Sequence, residues 1–280
     1  MSASPKSVRI SAFAKINLDL RVLGSRPDGY HELRTTFQSV ALADALTFTR
    51  TRGGFRIACD DPECPIGRSN LVWRAAALVW KAAGRRGAPK GVTVQIEKRV
   101  PMQAGLGGGS SDAAAALRAL PRLWRVDIKP HVLHRLASEL GADVPYFLEG
   151  GTALGLNRGD VLVPLDDIAR AWVVIVVPSF GVSTKEAFGW WDQTRARARR
   201  GVANDLEAPV AAHHPIVRQL TQRLKREGAS HASLSGSGSA VFGLFARRAA
   251  AERAANAFSG QRVVLTRTLS RRECRKLAAN

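Results

Sequence analysis

Little in this 280-residue chain invites a metal, a disulfide or a bilayer. Its three cysteines, Cys59, Cys64 and Cys274, are odd in number and have no His or Cys partners at metal-site spacing, so reduced thiols are expected. The longest apolar run, residues 171–178, is far too short to span a membrane. Residues 1–8 carry no apolar signal core, and a cytoplasmic protein is expected. No internal repeat is visible, which argues against solenoids and propellers. Acid is scarce, because 23 Asp and Glu face 42 Lys and Arg for a net charge of +19. The basic residues cluster at 85–86, 195–200, 223–226 and 271–275. Such a field attracts polyanions, yet there is no series of aromatics to stack bases, and specific nucleic-acid binding is not expected. The length suits one large or two medium domains, and two are preferred.

Glycine, by contrast, is concentrated. Pro101-Met102-Gln103-Ala104-Gly105-Leu106-Gly107-Gly108-Gly109-Ser110-Ser111-Asp112 leads into an alanine-rich run. Four glycines within five residues suit a backbone that reaches φ > 0 and approaches a ligand closely, not a core. Residues 92–97 before the loop alternate apolar and polar, so the order is strand, glycine loop, helix. A helix start offers unpaired N–H groups and a positive dipole end, which makes the loop a phosphate cradle. It matches neither familiar nucleotide pattern: Ser110 follows Gly105 at the fifth place without a Gly-Lys pair, and no third glycine completes a dinucleotide turn. Standing alone, it also reads as a connector capped by Ser110 or Ser111.

Residues 8–23 alternate as a strand, yet Lys15 and Asn17 sit among Phe13, Ile16, Leu18 and Leu20. Sharing strand parity, both point to one face, where they would meet a charged ligand unless Lys15 merely snorkels at an edge. Turn chemistry at 24–29 delivers Tyr30, His31 and Phe37 to a second extended segment. Strands are expected over 41–51 and 55–58, with Gly53-Gly54 as a hairpin turn. Ser69-Asn70 caps a helix through Ala83, and further helices are expected at 111–120 and 129–140. Asp143 follows among apolar and small residues, as either a turn cap or a catalytic carboxylate. Gly150-Gly151 suggests a hinge, with strands at 152–156, 161–165 and 172–177 beyond it. Ser183-Thr184 caps a helix carrying Phe188 and Trp190, and 195–201 reads as a mobile charged loop. A helix at 215–227 precedes a second glycine-serine anion nest at 233–239, a strand at 240–245, a helix at 247–258, a strand at 262–269 and a basic tail. Interleaving without regular βαβ repetition favours α+β with mixed or antiparallel sheets.

A lysine on an early strand, a glycine-serine loop opening a helix, an isolated aspartate and a late Ser-Gly-Ser-Gly loop form a set. Residues 101–113 resemble the ATP-binding motif of the GHMP kinase superfamily, and residues 234–240 resemble its third motif. Within it, Ala14-Lys15-Ile16-Asn17-Leu18, Arg26-Pro27-Asp28-Gly29-Tyr30-His31, Gly141-Ala142-Asp143-Val144-Pro145 and Asn204-Asp205-Leu206-Glu207 are similar to one branch. That branch phosphorylates a methylerythritol bearing a cytidine diphosphate group, on the non-mevalonate isoprenoid route.

The resemblance implies the two-domain α+β GHMP kinase fold. An N-terminal ribosomal-protein-S5-domain-2-like lobe at 1–155 and a C-terminal α/β sandwich at 156–280 would enclose the active site between them. It implies ATP-dependent transfer to a 2-hydroxyl, with ATP and Mg²⁺ as cofactors and no metal ligand assigned to a side chain. Asp143 falls at the family's base position with Lys15 as its charged neighbour. Asn70 and Leu71 fall at adenine contacts, and Pro101 to Ser111 at the triphosphate. Asn17, Tyr30, His31, Phe37, Thr184, Phe188, Gly236 and Ser237 are carried over as substrate contacts. In that assignment Tyr30 and Phe188 sandwich the cytosine and His31 hydrogen-bonds its edge, while core packing is the competing reading of Phe37 and Phe188. A soluble monomer or homodimer acting on small molecules is implied. Two alternatives stand beside it: a superfamily kinase for homoserine, mevalonate or a sugar, and a catalytically silent nucleotide- or RNA-binding relative. Tyr30-His31 after Pro27-Asp28-Gly29 speaks against the first, and intact Lys15 and Asp143 against the second.

Overall fold

The turn predicted at 24–29 joins two long strands, β1 (Ser7–Ser25) and β2 (His31–Gly54), in a computed structural model that describes residues 6–194 and 202–278. Arg26 donates its N–H to the Tyr30 carbonyl at 2.7 Å, and Asp28 accepts the Tyr30 N–H at 3.2 Å. The charged loop expected at 195–201 lies outside the described residues.

β3 (Arg56–Cys59), α1 (Leu71–Ala82) and β4 (Lys90–Glu97) follow. The hairpin expected at Gly53-Gly54 is not formed. β4 takes the edge of β2, from Ala45 opposite Glu97 to Arg50 opposite Val92, and β3 pairs in parallel with β4 instead. A parallel pair needs a crossover, and α1 supplies it. As expected, Asn70 caps α1, its side chain accepting the Val72 N–H at 2.8 Å.

α2 (Gly108–Trp124), α3 (Pro130–Leu140) and α4 (Val144–Glu149) pack on one face of this sheet. α2 starts three residues before the expected Ser111 and runs through Pro121, because Leu123 and Trp124 are buried and Trp124 meets Trp80 edge-on at 5.0 Å. Packing here outweighs the local cost of proline. Ala113, Ala114, Ala115 and Ala116 are all buried, so the helix lies close to the layers around it.

β5 (Thr152–Asn157) pairs with the start of β2, and β6 (Val161–Pro164) closes a mixed six-stranded sheet. The division expected at 155/156 falls inside β5. The second sheet is antiparallel in the order β10-β7-β9-β8, formed by β7 (Trp172–Val177), β8 (His231–Leu234), β9 (Val241–Phe245) and β10 (Arg262–Arg267). Helices α5 (Thr184–Thr194), α6 (Glu207–His213), α7 (Ile216–Arg226) and α8 (Arg248–Asn256) accompany it, while α9 (Arg271–Leu277) returns to the first sheet, where Arg271 Nη2 donates to Thr152 O at 2.6 Å. The two sheets meet through the Leu269 N–H on Ser39 O at 2.9 Å and through a third apolar cluster that includes Ala14, Ile16, Leu106, Ile175 and Phe242.

The tail expected to be merely basic is α9, and Gly150-Gly151 is no free hinge, since Cys274 and Arg271 of α9 pack directly on it. Ser270 and Glu273 form a reciprocal capping box. Ser270→Ala should cost about 1 kcal/mol, read as a lower denaturant midpoint.

Candidate active site

The site is built around a lysine taken out of water. Register shifts between Phe13 and Lys15 and between Asn17 and Asp19 interrupt the β1–β2 ladder, leaving Lys15 and Asn17 on one face as their parity predicts. The Lys15 side chain is only 4% exposed. Its Nζ donates to Asn17 Oδ1 at 2.6 Å and lies 3.4 Å from Asp143 Oδ2. Asn17 Nδ2 donates to Thr35 Oγ1 at 2.8 Å, and Thr35 to Asp19 O at 2.6 Å. A buried ammonium needs this much compensation. Asp143 occupies the N-cap position of α4, yet its side chain caps nothing; it is turned to Lys15 and open to the cleft. That sets aside the turn-cap reading.

The glycine loop lies across this pair. Lys15 N–H donates to Leu106 O at 3.0 Å, and from the loop between β8 and β9 Ser235 Oγ donates to Gly105 O at 2.9 Å and Ala240 N–H to Ala104 O at 3.2 Å. Gly105 has φ +73°, and a β-carbon there would stand 1.9 Å from Ser235 O. Gly107, also at φ +73°, begins α2, and a β-carbon on it would strike Phe147 at 2.6 Å. A glycine thus replaces the expected serine cap. The Ser111 N–H bonds Gly107 O at 2.9 Å, which leaves the N–H groups of 108–110 without intrahelical acceptors at the cleft. The second loop is anchored by Asn204, whose Nδ2 donates to Leu234 O at 2.9 Å and Gly236 O at 2.8 Å. Asp205 accepts from Arg21 Nη1 at 2.8 Å and from Val22 N–H at 3.0 Å.

The resulting cleft has a volume of about 1160 Å³. Of the residues singled out from sequence, Lys15, Asn17, Tyr30, His31, Phe37, Leu71, residues 101–110, Asp143, Thr184, Phe188, Gly236 and Ser237 line it. Asn70 and Ser111 do not: the first is occupied with capping α1 and the second is buried in α2. Phe37, 1% exposed, packs on Tyr146 at 4.8 Å and serves the floor as core. Thr184 Oγ1 and Ser237 Oγ meet at 3.2 Å across the cleft. At the far end Tyr30 is 52% exposed with Arg158 over its ring at 4.8 Å. His31 stacks on Phe188 at 4.6 Å, and its Nε2 meets Asp192 Oδ1 at 2.8 Å.

Profiles for the GHMP kinases N terminal domain and the GHMP kinases C terminal match residues 70–151 and 187–263. A 4-diphosphocytidyl-2-C-methyl-D-erythritol kinase of Moorella thermoacetica is 43% identical, the alignment covering 93% of this chain and 98% of that protein. One of Enterococcus faecalis is 40% identical over 91% and 97%. The chain belongs to this family of GHMP kinases. A solved 4-(cytidine 5'-diphospho)-2C-methyl-D-erythritol kinase superposes with a TM-score of 0.79 at 36% identity, covering 93% of this chain and 98% of the other. The homoserine kinase of Cytophaga hutchinsonii, at 18% identity and a TM-score of 0.71, shares the fold.

Sequence reasoning overlooked three features of this GHMP kinase. Arg158 reaches Tyr30 because β5 pairs with β2, Leu33 standing opposite Asn157, and because Arg26 donates to the Asn157 side chain. That pairing has no local signal. Asp192 lies eight residues beyond Thr184 on a helix whose Phe188 was named, so helical spacing could have found it. The third is a buried ionic cluster under the glycine loop, where Lys98 Nζ donates to Asp44 Oδ2 and, at 3.0 Å, to Asp112 Oδ2. Burial acts to lower the Lys98 pKa, but Asp112 and Asp44 together carry it above the ordinary lysine value.

Proposed function

We propose that this GHMP kinase transfers the γ-phosphoryl group of ATP to the 2-hydroxyl of 4-diphosphocytidyl-2-C-methyl-D-erythritol, a step of the non-mevalonate route to isoprenoid precursors. The observation that carries the reading is the Lys15–Asp143 pair, 3.4 Å apart, facing a cleft that also receives the free N–H groups of α2. An aliphatic hydroxyl is a poor nucleophile, so Asp143 accepts its proton as the oxygen–phosphorus bond forms and the bond to ADP breaks. Lys15, 3.4 Å from that carboxylate, offsets charge on the transferring group. The N–H groups of 108–110 and the loop at 101–107 hold the triphosphate, which arrives as its Mg²⁺ complex. Mg²⁺ bound to the triphosphate would offset its charge there; among the described residues no group of three or more His, Cys, Asp or Glu is placed to hold a metal ion.

The cytidine end is assigned to Tyr30, Phe188 and His31, with Arg158 and Asp192 holding Tyr30 and His31 in place. Asn17 and Thr184 line the path between base and acceptor hydroxyl, alongside Gly236 and Ser237. No helix among the described residues is long and apolar enough to cross a membrane; we place the enzyme in the cytoplasm as a monomer or homodimer.

Phosphate transfer from ATP to the cytidine diphosphate alcohol, compared with homoserine and mevalonate, tests the assignment. Turnover is expected with the first alone, and turnover of another acceptor in its absence would sink it. Removing the ring in Tyr30→Ala should raise the KM for the cytidine substrate by about tenfold or more and leave that for ATP unchanged. An ATP defect instead would mean that the two ends of the cleft are reversed.

A further inference from the structure

Beneath the first turn of α2, the Lys98 cluster holds one carboxylate too many. Asp44, fully buried on β2, has both oxygens engaged: Oδ1 accepts the N–H groups of Arg99 and Val100 at 2.6 and 2.8 Å, and Oδ2 accepts from Lys98. It is the anion that Lys98 neutralises. Asp112 is the surplus one, with a side chain only 6% exposed and an Oδ1 that has no hydrogen-bond partner. Lys98 is also a wall of the cleft, its Nζ 3.4 Å from where a β-carbon on Gly108 would stand. The surplus charge therefore sits one ammonium group away from the free N–H groups of the helix start. Cys64, with Cys59 beside it, faces the same cluster from the segment after β3. Among the described residues no ion pair to Asp112 comes from β1, α1, α3 or α4; Lys98 is its ionic partner.

A triphosphate at this helix start adds several negative charges to a cluster already negative by one, and like charges at such range favour the neutral carboxyl. We propose that ATP binding is coupled to uptake of a proton by Asp112, on its unpartnered Oδ1. The proton comes from solvent and no other covalent bond changes. Lys98 keeps its pair with Asp44, and the cluster beneath the phosphates is then neutral. The inference rests on reading residues 101–111 as the triphosphate clamp. Burial pushes the Asp112 carboxyl up to about 7, with Lys98 opposing and Asp44 reinforcing the rise. An added anion thus moves its titration through the neutral range. Because the bound form holds more protons, ATP affinity falls as pH rises.

Calorimetric titration with ATP at pH 8, in buffers of different ionisation heat, tests this where the free γ-phosphate is already deprotonated. If the anion raises the Asp112 midpoint by about one pH unit, uptake of roughly 0.4 proton per ATP is expected, with a Kd that grows about fivefold between pH 7 and pH 9. Asp112→Asn should bind ATP with no uptake at pH 8 and a flat Kd. On the wild-type enzyme, infrared difference spectra should gain a protonated-carboxyl band when ATP is added, a readout that stands even if the variant does not fold. ATP binding with neither uptake nor band overturns the inference alone, as does uptake undiminished in Asp112→Asn. Failure of ATP to bind at all overturns the kinase reading and the inference with it.

Discussion

Replacing Asp143 with asparagine should lower kcat by at least about a hundredfold while ATP affinity changes little. The substitution keeps the size of the side chain and removes only its capacity to take the hydroxyl proton. The surrounding structure should tolerate it. Asp143 caps no helix, and Lys15, which loses its carboxylate, retains its 2.6 Å bond to Asn17. Steady-state kinetics together with an ATP titration separate the two effects. A variant with wild-type kcat would remove Asp143 from proton transfer and leave Lys15 as a purely electrostatic group.

The second large effect is expected from a single methyl group. In Gly105→Ala the new β-carbon would be placed 1.9 Å from the carbonyl oxygen of Ser235, at a backbone φ of +73°. Both obstacles are backbone features, so no side-chain rotation relieves them, and the glycine loop and the 235–240 loop must separate. Strain and overpacking of this kind cost about 1–3 kcal/mol each. The expected outcome is a melting temperature lowered by several degrees and loss of measurable ATP binding, read by thermal denaturation with and without nucleotide. Gly67→Ala is the control, because a β-carbon there meets nothing within 4 Å at an ordinary φ. Equal behaviour of the two variants would mean that the loops can part freely.

The parts of the molecule legible in sequence were those whose signal is local. Period-two alternation located β1 and β4, and the parity of Lys15 and Asn17 placed two buried polar groups on one face, where they hydrogen-bond. Asn70 declared its own cap. The misreadings came where a distant partner decides. Gly53-Gly54 looks like a hairpin because nothing nearby reveals that β4, some forty residues on, will take the edge of β2. Pro121 looks like a helix end because the burial of Leu123 and Trp124 is not visible locally. The Lys98 cluster joins residues 44, 98 and 112, three charges that individually read as surface. The α9 capping box was the exception, since Ser270 and Glu273 carry a local signal that the basic residues around them obscured.

The glycine loop is launched by the first sheet but seated on the loops that connect the strands and helices of the second, through Ser235 on Gly105, Ala240 on Ala104 and the Val182 N–H on Gln103 O. A chimaera that exchanges the C-terminal half between relatives would therefore also exchange the mould in which the N-terminal half's own loop is cast. Two sequences meant to recombine must agree at 235–240 before they agree anywhere on the substrate.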